Sequence, residues 1–385
     1  MGSIAEEISR QPVALSLFSG AGGLDLGVSQ AGADILACVE IDPHCCETLR
    51  HWNSKDPKAP RVIEDDVRNV DPVDLLGGLE LEPGQLDILV GGPPCQSFSQ
   101  IGKLGSLRDE RGMLLFQMLR FVEVFQPKAL LLEQVKGLLS AKDHEGKPGG
   151  VMELFLDELQ ELGYAPKWKV VTAADYGVPQ LRQRVFIVAT PSPNTFEFPA
   201  PTHADAGDQE TLFSLPRYVT AGEVLKDLEE APGKRDGWMP EDSHLDVTPS
   251  GDRRRIHGVP QGDWLARQTH LPEEQRGKLS KKDTTKFRRL SYDEPAITLR
   301  GGEIFFHPVE DRYLTPREYM RLHGYPDDYQ LKGPIRGRSG QVRNLDQHRQ
   351  VANSVPPPIA RKITEALLEK VECLQDESSK STATL

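Results

Sequence analysis

The sequence predicts an α/β fold: a mostly parallel sheet with helices on both faces, joined to a second, smaller and irregular domain. Two observations predict the sheet. Through the first 190 residues, short apolar runs alternate with segments of helical spacing, the pattern of strand–helix–strand units with right-handed crossovers. The strands are apolar without polar alternation, which suits a sheet covered on both faces. A third observation predicts the second domain: after Pro191, and to about residue 300, Pro, Gly, Asp and Arg take over and periodicity fades.

In chain order, "PVALSLF" (12–18) is a buried strand, followed by a glycine turn and a helix near 23–31. "ADILACVE" (33–40) is the second strand, and a helix runs from Pro43 to about Trp52. "EDDV" (64–67) ends a third strand, and "LDILVGG" (86–92) is another. "RGMLLFQMLRFVEVFQ" (111–126) has helical apolar spacing. "KALLLEQV" (128–135) is a strand, and "VMELFLDELQELG" (151–163) is an amphipathic helix ending in Gly. "RVFIVAT" (184–190) closes the series. Beyond the irregular stretch, "TPREYMRLHG" (315–324) is a helix capped by Thr315 with Pro316 at its first position. A last helix is expected from about Pro358 to Cys373, and residues 1–10 and 374–385 read as flexible tails.

The 385 residues, 38% hydrophobic and 27% charged, are those of an ordinary soluble globular protein. No apolar run approaches the ~18 residues of a membrane span. The N-terminus lacks the basic and apolar regions of a secretory signal, and Glu6 breaks the myristoylation pattern. An intracellular protein is expected, with no membrane partner. Five cysteines, an odd number with no matched C-x-x-C pairs, argue against a disulfide framework and against a zinc or other metal site. Cys38, Cys45, Cys46 and Cys373 read as small buried hydrophobes. Net charge is −12, but it is unevenly spread. Asp252–Arg289 holds eleven Lys or Arg against five Asp or Glu, and Lys332–Arg349 five against one. Two basic segments thus sit on an acidic body, the distribution of a chain that meets nucleic acid locally.

"LFSGAGGLDLG" (17–27) joins the first strand to the first helix, and its glycines let backbone approach a ligand at the helix N-terminus. Glu40 ends the second strand, where nucleotide-binding sheets place an acid on ribose hydroxyls. The dinucleotide fingerprint fails at Asp25, which weakens a nicotinamide-dependent reading. The expected ligand carries an adenosine without requiring a pyrophosphate, and S-adenosylmethionine fits that description. In "DILVGGPPCQSFSQ" (87–100), Pro93 and Pro94 stiffen the chain before Cys95, at the carboxyl end of a strand where open α/β sheets put their chemistry. Small residues follow, as in a closing loop. The next strand ends in Glu133, and "QLRQR" (180–184) points Gln180, Arg182 and Arg184 to one face if extended. Singly these are structural ion-pair residues; jointly they assemble a thiol, a carboxyl and two guanidiniums at one edge.

These motifs together resemble the DNA (cytosine-5)-methyltransferase family, over nearly all of the chain outside 191–285. "LFSGAGGLDLG", "VEIDP" and "DDV" resemble its cofactor motifs and "GGPPCQSFS" its Pro-Cys motif. "DERGMLLF", "EQV" and "QLRQRVFIV" follow in the family's order, then "RYLTPREYMRLHGYPDDY" and "QVANSV". Two departures stand out: Gln134 where the family has Asn, and Ala352 where it has Gly.

The resemblance implies a Rossmann-like, S-adenosylmethionine-dependent methyltransferase fold with a target-recognition domain. The catalytic and cofactor domain would be discontinuous, 11–190 and 345–373, with 191–344 as the target-recognition domain and ninth-motif region. It implies that the thiolate of Cys95 attacks carbon 6 of a cytosine flipped out of double-stranded DNA, and that Glu133 holds ring nitrogen 3. Arg184 would lie near the base carbonyl and Glu133, with Arg182 supporting it. For the cofactor it implies Phe18 on the adenine ring and Ser19, Gly20, Gly22 and Gly23 near the methionine part. Glu40 would take the ribose and Asp66 the adenine amino group. Ile41, Val67 and Pro94 would be apolar walls, and Asn353, Ser354 and Val355 would finish the pocket. Thr298 would contact phosphate, and arginines such as Arg253 to Arg255 would read guanine. A monomer working in DNA restriction–modification is expected, in cytoplasm or nucleoid if bacterial and in the nucleus if eukaryotic; nothing in the sequence points to a partner endonuclease. A tRNA cytosine-5 methyltransferase is the nearest rival, but residues 96–372 lack the cysteine of that group's Cys-Phe-Thr signature. Intact Cys95, Glu133, Arg182 and Arg184 argue against a catalytically silent DNA-binding relative.

Overall fold

The computed structural model describes residues 10–54, 58–94, 114–191, 196–205, 207, 215–233, 240–277, 287–336 and 344–382, with side chains to residue 372. Strands β1 (Val13–Leu17), β2 (Asp34–Glu40), β3 (Arg61–Glu64), β4 (Ile88–Gly91) and β5 (Ala129–Val135) fall on the apolar runs. Helices α1 (Gly23–Gln30) and α2 (Pro43–Asn53) follow the first two strands, and α3 (Pro72–Gly78) follows the third. Helices α4 (Leu114–Phe125) and α5 (Gly150–Glu161) flank β5 in sequence. Local chemistry starts them: Asp42 caps α2 and Asp71 caps α3 through their side chains, each before a proline at the first position.

Seven strands form one sheet in the order β3-β2-β1-β4-β5-β8-β6, where β6 is Ala165–Thr172 and β8 is Gln183–Thr190. The first five are parallel. Alternate residues of each strand enter opposite cores. Leu15, Leu17, Leu89, Leu130 and Leu132 pack against Phe121, Phe125 and Phe155 of α4 and α5. Ala14, Val90, Leu131 and Phe186 pack against Leu24 and Val28 of α1 and a helix from the far end of the chain.

Two expectations need correction. The run at 184–190 is not a parallel strand: β8 is antiparallel to both β5 and β6. Only residues 173–182 separate β6 from β8, fewer than the dozen or so that a parallel crossover needs. Strand β6 itself is missing from the sequence reading. It lies at the sheet edge with Lys167, Trp168 and Lys169 exposed, so it lacks the apolar run that marks an inner strand.

The stretch after Pro191 is irregular as expected, with short helices α6 (Ala221–Leu225) and α7 (Ser250–Ile256) and two-residue strand β9 (Ala296–Ile297). Strand β9 pairs with β7 (Gln180–Leu181), and Thr298 Oγ1 donates to Leu181 O at 3.1 Å. Helix α8 (Pro316–His323) opens on a capping box between Thr315 and Glu318. Helix α9 (Gln347–Asn353) leads to α10 (Pro357–Thr382). Helix α10 runs past the expected end at Cys373 into the segment read as a flexible tail. Extending an existing helix fixes one residue per bond and needs no new nucleus. Its buried Ile359, Ile363 and Leu367 complete the core under α1. The two helices touch at Gly27, where a Cβ would collide with Ala360. No described helix is long and apolar enough to cross a membrane.

Candidate active site

At the carboxyl ends of the parallel strands lies a cavity of about 630 Å³. Its walls come from the loops after β1, β2, β3, β4 and β5, from Arg182 and Arg184 at the start of β8, and from the turn between α9 and α10. Phe18, Ser19, Gly20, Glu40, Ile41, Asp66, Val67, Pro94, Glu133, Arg182, Arg184, Asn353, Ser354 and Val355 all line it. Cys95 lies outside the described residues, one residue beyond Pro94 on the cavity wall. Gly22 and Gly23 do not line it; they shape the loop that does.

That loop is held in an uncommon conformation. Phe18 has a φ of 58°, a left-handed value costing a side-chain-bearing residue about 1–2 kcal/mol. The cost is offset by hydrogen bonds around it: Ser19 N–H donates to Val39 O at 3.3 Å and Gly22 N–H to Ser19 O at 3.0 Å. From the far segment, Tyr329 Oη donates to Ala21 O at 2.7 Å. Gly23 faces Val355 so closely that a Cβ would strike the Val355 carbonyl oxygen.

Beneath the loop Asp25 is fully buried. Its Oδ1 accepts from Ser16 Oγ at 2.5 Å and its Oδ2 from Cys38 Sγ at 3.4 Å, while Ser16 Oγ lies 2.8 Å from Ser19 Oγ. Burial pushes this carboxyl up to about 6, and the hydroxyl and thiol donors offset part of that rise. In the unfolded chain it ionises near 3.8. The stability linked to its protonation is therefore full below pH 3.8 and lost as pH rises through about 6, a loss on the order of 3 kcal/mol. Asp25→Asn does not titrate. Relative to the unsubstituted protein its urea-unfolding free energy is expected to rise by about 2 kcal/mol between about pH 4 and pH 7. A difference that stays flat with pH would contradict this.

Glu40 closes the floor. Its Oε2 accepts from Gly20 N–H at 2.7 Å, and its Oε1 from Ile41 and Asp42 N–H at 2.8 Å each. Burial raises its pKa, and these three donors hold the rise down. The carboxylate thus ties the glycine loop to the end of β2. Asp66 caps the turn at 67–69 and pairs with Arg68 at 2.6 Å.

At the opposite wall, Arg184 Nε stands 2.8 Å from Glu133 Oε1. The pair is buried, with both side chains at most 15% exposed. Burial pushes the Glu133 carboxyl up, against the pull of Arg184 and then Arg182. Gln180, Arg182 and Arg184 do face inward, with Leu181 and Gln183 exposed between them, as the alternation predicts. Arg182 serves a different partner from Arg184. It is 1% exposed and donates to the carbonyls of Ala352 at 2.9 Å and Ser354 at 3.0 Å. Burial, and then the neighbouring Arg184 cation, pull its guanidinium down to about 9. Gln134 donates to Pro93 O at 2.6 Å, two residues before Cys95, and its own Oε1 accepts from Val135 N–H at 3.1 Å.

A sequence model described as C-5 cytosine-specific DNA methylase matches residues 13–369. The chain belongs to that family. It is 32% identical over 366 residues to the Type II methyltransferase M.NgoFVII of Neisseria gonorrhoeae, covering 94% of this chain and 87% of the relative. It is 33% identical over 384 residues to M.PspPI of a Psychrobacter species, covering 95% and 81%. A structure described as a prophage-encoded DNA modification methyltransferase of E. coli shares the fold, at TM-score 0.65 and 22% identity over 94% of this chain and 99% of that one. The methylase is thus an enzyme that uses S-adenosylmethionine to methylate carbon 5 of cytosine in DNA.

The cavity of the methylase suits that cofactor. It combines apolar walls at Phe18, Ile41, Val67 and Pro94 with acids at Glu40 and Asp66 and a bare backbone at Gly20. Sequence reasoning missed Cys45, Leu345, Arg349 and Gln350, which also line the cavity, as does Gln134, noted there only as a departure from the family. The pair Gly301-Gly302 in "TLRGG" is likewise on the wall, and its double glycine is the signal that was available. Of the three arginines expected to read guanine, two already have partners on the protein's own surface. Arg253 is paired with Asp246, and Arg255 lies over the Phe287 ring at 5.0 Å. Arg254 is exposed on α7.

Proposed function

We propose that Cys95, Glu133 and Arg184 carry the chemistry of the methylase, with Arg182 and Gln134 holding their surroundings. The observation that carries this reading is the buried Glu133–Arg184 ion pair, set on the cavity wall that also holds Pro94. The Cys95 thiolate adds to carbon 6 of the cytosine, and the electron pair moves into the ring. Glu133, its carboxyl raised by burial, supplies a proton to nitrogen 3 and Arg184 faces the base carbonyl, so the developing charge is met by groups already in place. Bound in the cavity, S-adenosylmethionine supplies the methyl taken up by carbon 5, leaving S-adenosylhomocysteine. Loss of the carbon 5 proton to solvent, departure of the Cys95 thiolate and return of the nitrogen 3 proton to Glu133 then restore the ring and the enzyme.

Phe18 stacks on adenine, Glu40 takes the ribose, Asp66 the adenine amino group, and Asn353–Val355 the far side. Residues 11–190 and 345–373 form the catalytic domain, and 191–344 present double-stranded DNA to it, with Arg254 among the phosphate contacts. The protein works as a monomer inside the cell. Bisulfite sequencing of DNA from cells expressing the methylase tests the reading: protected cytosines in one recurring short sequence are expected, and unprotected DNA throughout would refute it.

Gln134 gives a finer test. Gln134→Ala removes the donor to Pro93 O and loosens the approach to Cys95, so methyl transfer at saturating cofactor is expected to slow about tenfold. Affinity for S-adenosylhomocysteine should stay within about threefold. An unchanged rate would exclude this role for Gln134.

A further inference from the structure

We infer that His323 is a positioning residue for the cofactor wall, acting through the Ser354 carbonyl. The inference rests on the proposal that residues 353–355 line the cofactor site. His323 ends α8 and is fully buried. Its Nε2 lies 2.9 Å from Ser354 O, and its Nδ1 3.0 Å from Gln180 Nε2. A carbonyl only accepts, so Nε2 carries the proton and Nδ1 accepts from the Gln180 amide. That amide is itself oriented: its nitrogen also donates to Leu322 O at 3.1 Å, and its oxygen accepts from Leu299 N–H at 3.1 Å. The tautomer is therefore set by partners on two other segments.

Ser354 O thus receives two donors, His323 Nε2 and Arg182 Nη2, the second at 3.0 Å. One donor leaves a peptide plane free to swing about the bond; two converging donors fix it. The plane matters because the next residue, Val355, faces Gly23 with no room to spare. A swing there would disturb both the cavity wall and the first turn of α1. The ring also stays neutral. Burial, and then the Arg182 cation, hold its pKa well below the ordinary value. A proton on Nδ1 would confront the Gln180 N–H group. A residue that merely filled space would have no need of a donor aimed at a carbonyl, and leucine would replace it.

The test uses the full-length protein and binding of S-adenosylhomocysteine by calorimetry near neutral pH. His323→Leu is expected to weaken binding about tenfold, while His323→Gln, which keeps a donor of similar reach, stays within about threefold. His323→Asn reaches Gln180 but not Ser354, so it should lose affinity as the leucine variant does. At saturating S-adenosylmethionine, methyl transfer into genomic DNA by His323→Leu should return to within about threefold of the unsubstituted rate. Unchanged affinity in the Leu and Asn variants would overturn the inference. So would equal losses in all three, or a lowered maximal rate at unchanged affinity. If His323→Leu does not fold, the Asn and Gln pair decides alone. Failure of the unsubstituted protein to bind S-adenosylhomocysteine, or binding indifferent to Phe18→Ala, would instead remove the cofactor-site reading, and the inference with it.

Discussion

Cys95→Ser is expected to reduce methyl transfer to DNA on the order of 10⁴-fold or more. A hydroxyl at that position is not ionised near neutral pH and is a far weaker nucleophile toward carbon 6 than a thiolate. The same substitution should abolish a covalent complex with DNA carrying 5-fluorocytosine. After addition of the thiolate and methylation, carbon 5 bears fluorine in place of a proton, so the elimination that frees the sulfur cannot occur. The unsubstituted protein should therefore become locked to such DNA when S-adenosylmethionine is present, as a band that survives denaturing electrophoresis. A serine variant that retains a hundredth of the rate (about 10⁻²), or that still forms the band, would show that the nucleophile lies elsewhere. The chain around this thiol is already braced on its near side: Pro94 lines the cavity and Pro93 O is held by Gln134.

Glu133→Gln is expected to lower the maximal rate about 10²–10³-fold with little change in cofactor affinity. The amide keeps an oxygen for Arg184 but has no proton to give to nitrogen 3. The pH profile separates the two roles. Burial holds the Glu133 proton to higher pH than an ordinary carboxyl would. The rate should fall on the alkaline side as that proton is lost, and rise on the acid side as the Cys95 thiolate forms. The Gln variant should keep the rise and lose the fall. A Gln variant with both limbs would mean that the alkaline limb belongs to another group.

Most of the cavity was legible in the sequence because its walls are strand ends. An apolar run announces where a strand stops, and in a parallel sheet the residues just past those stops share one edge. Glu40, Glu133 and the prolines before Cys95 were found that way, while Phe18 and Asp66 came with the family resemblance. Periodicity reports how deeply a segment is buried, not which segment it meets. The inward alternation of Arg182 and Arg184 was readable, and the family resemblance put Arg184 beside Glu133, where it stands. The partner of Arg182 was not: it is the carbonyl of Ala352, 170 residues along the chain. His323 was invisible as a site residue for the same reason, and Gln134 was visible only as a departure from the family, since each acts through a carbonyl on another segment. Strand β6 escaped because its exposed lysines erase the apolar run. Charge counting marked the basic stretch at Asp252–Arg289 but could not tell that Arg253 is committed to Asp246.

The packing of α10 on α1 sets an order of events during synthesis. Gly27 emerges early and its neighbour Ala360 only after nearly all of the chain has been translated. At ~5–20 residues per second, the apolar face of α1 waits roughly 20–70 s for its cover. Until then the nascent protein has its thiol but lacks residues 353–355 of the cavity wall. A ribosome that stalls late would leave a chain with a sticky helix face and an open-sided pocket, a substrate for chaperones and proteases rather than a partially active enzyme.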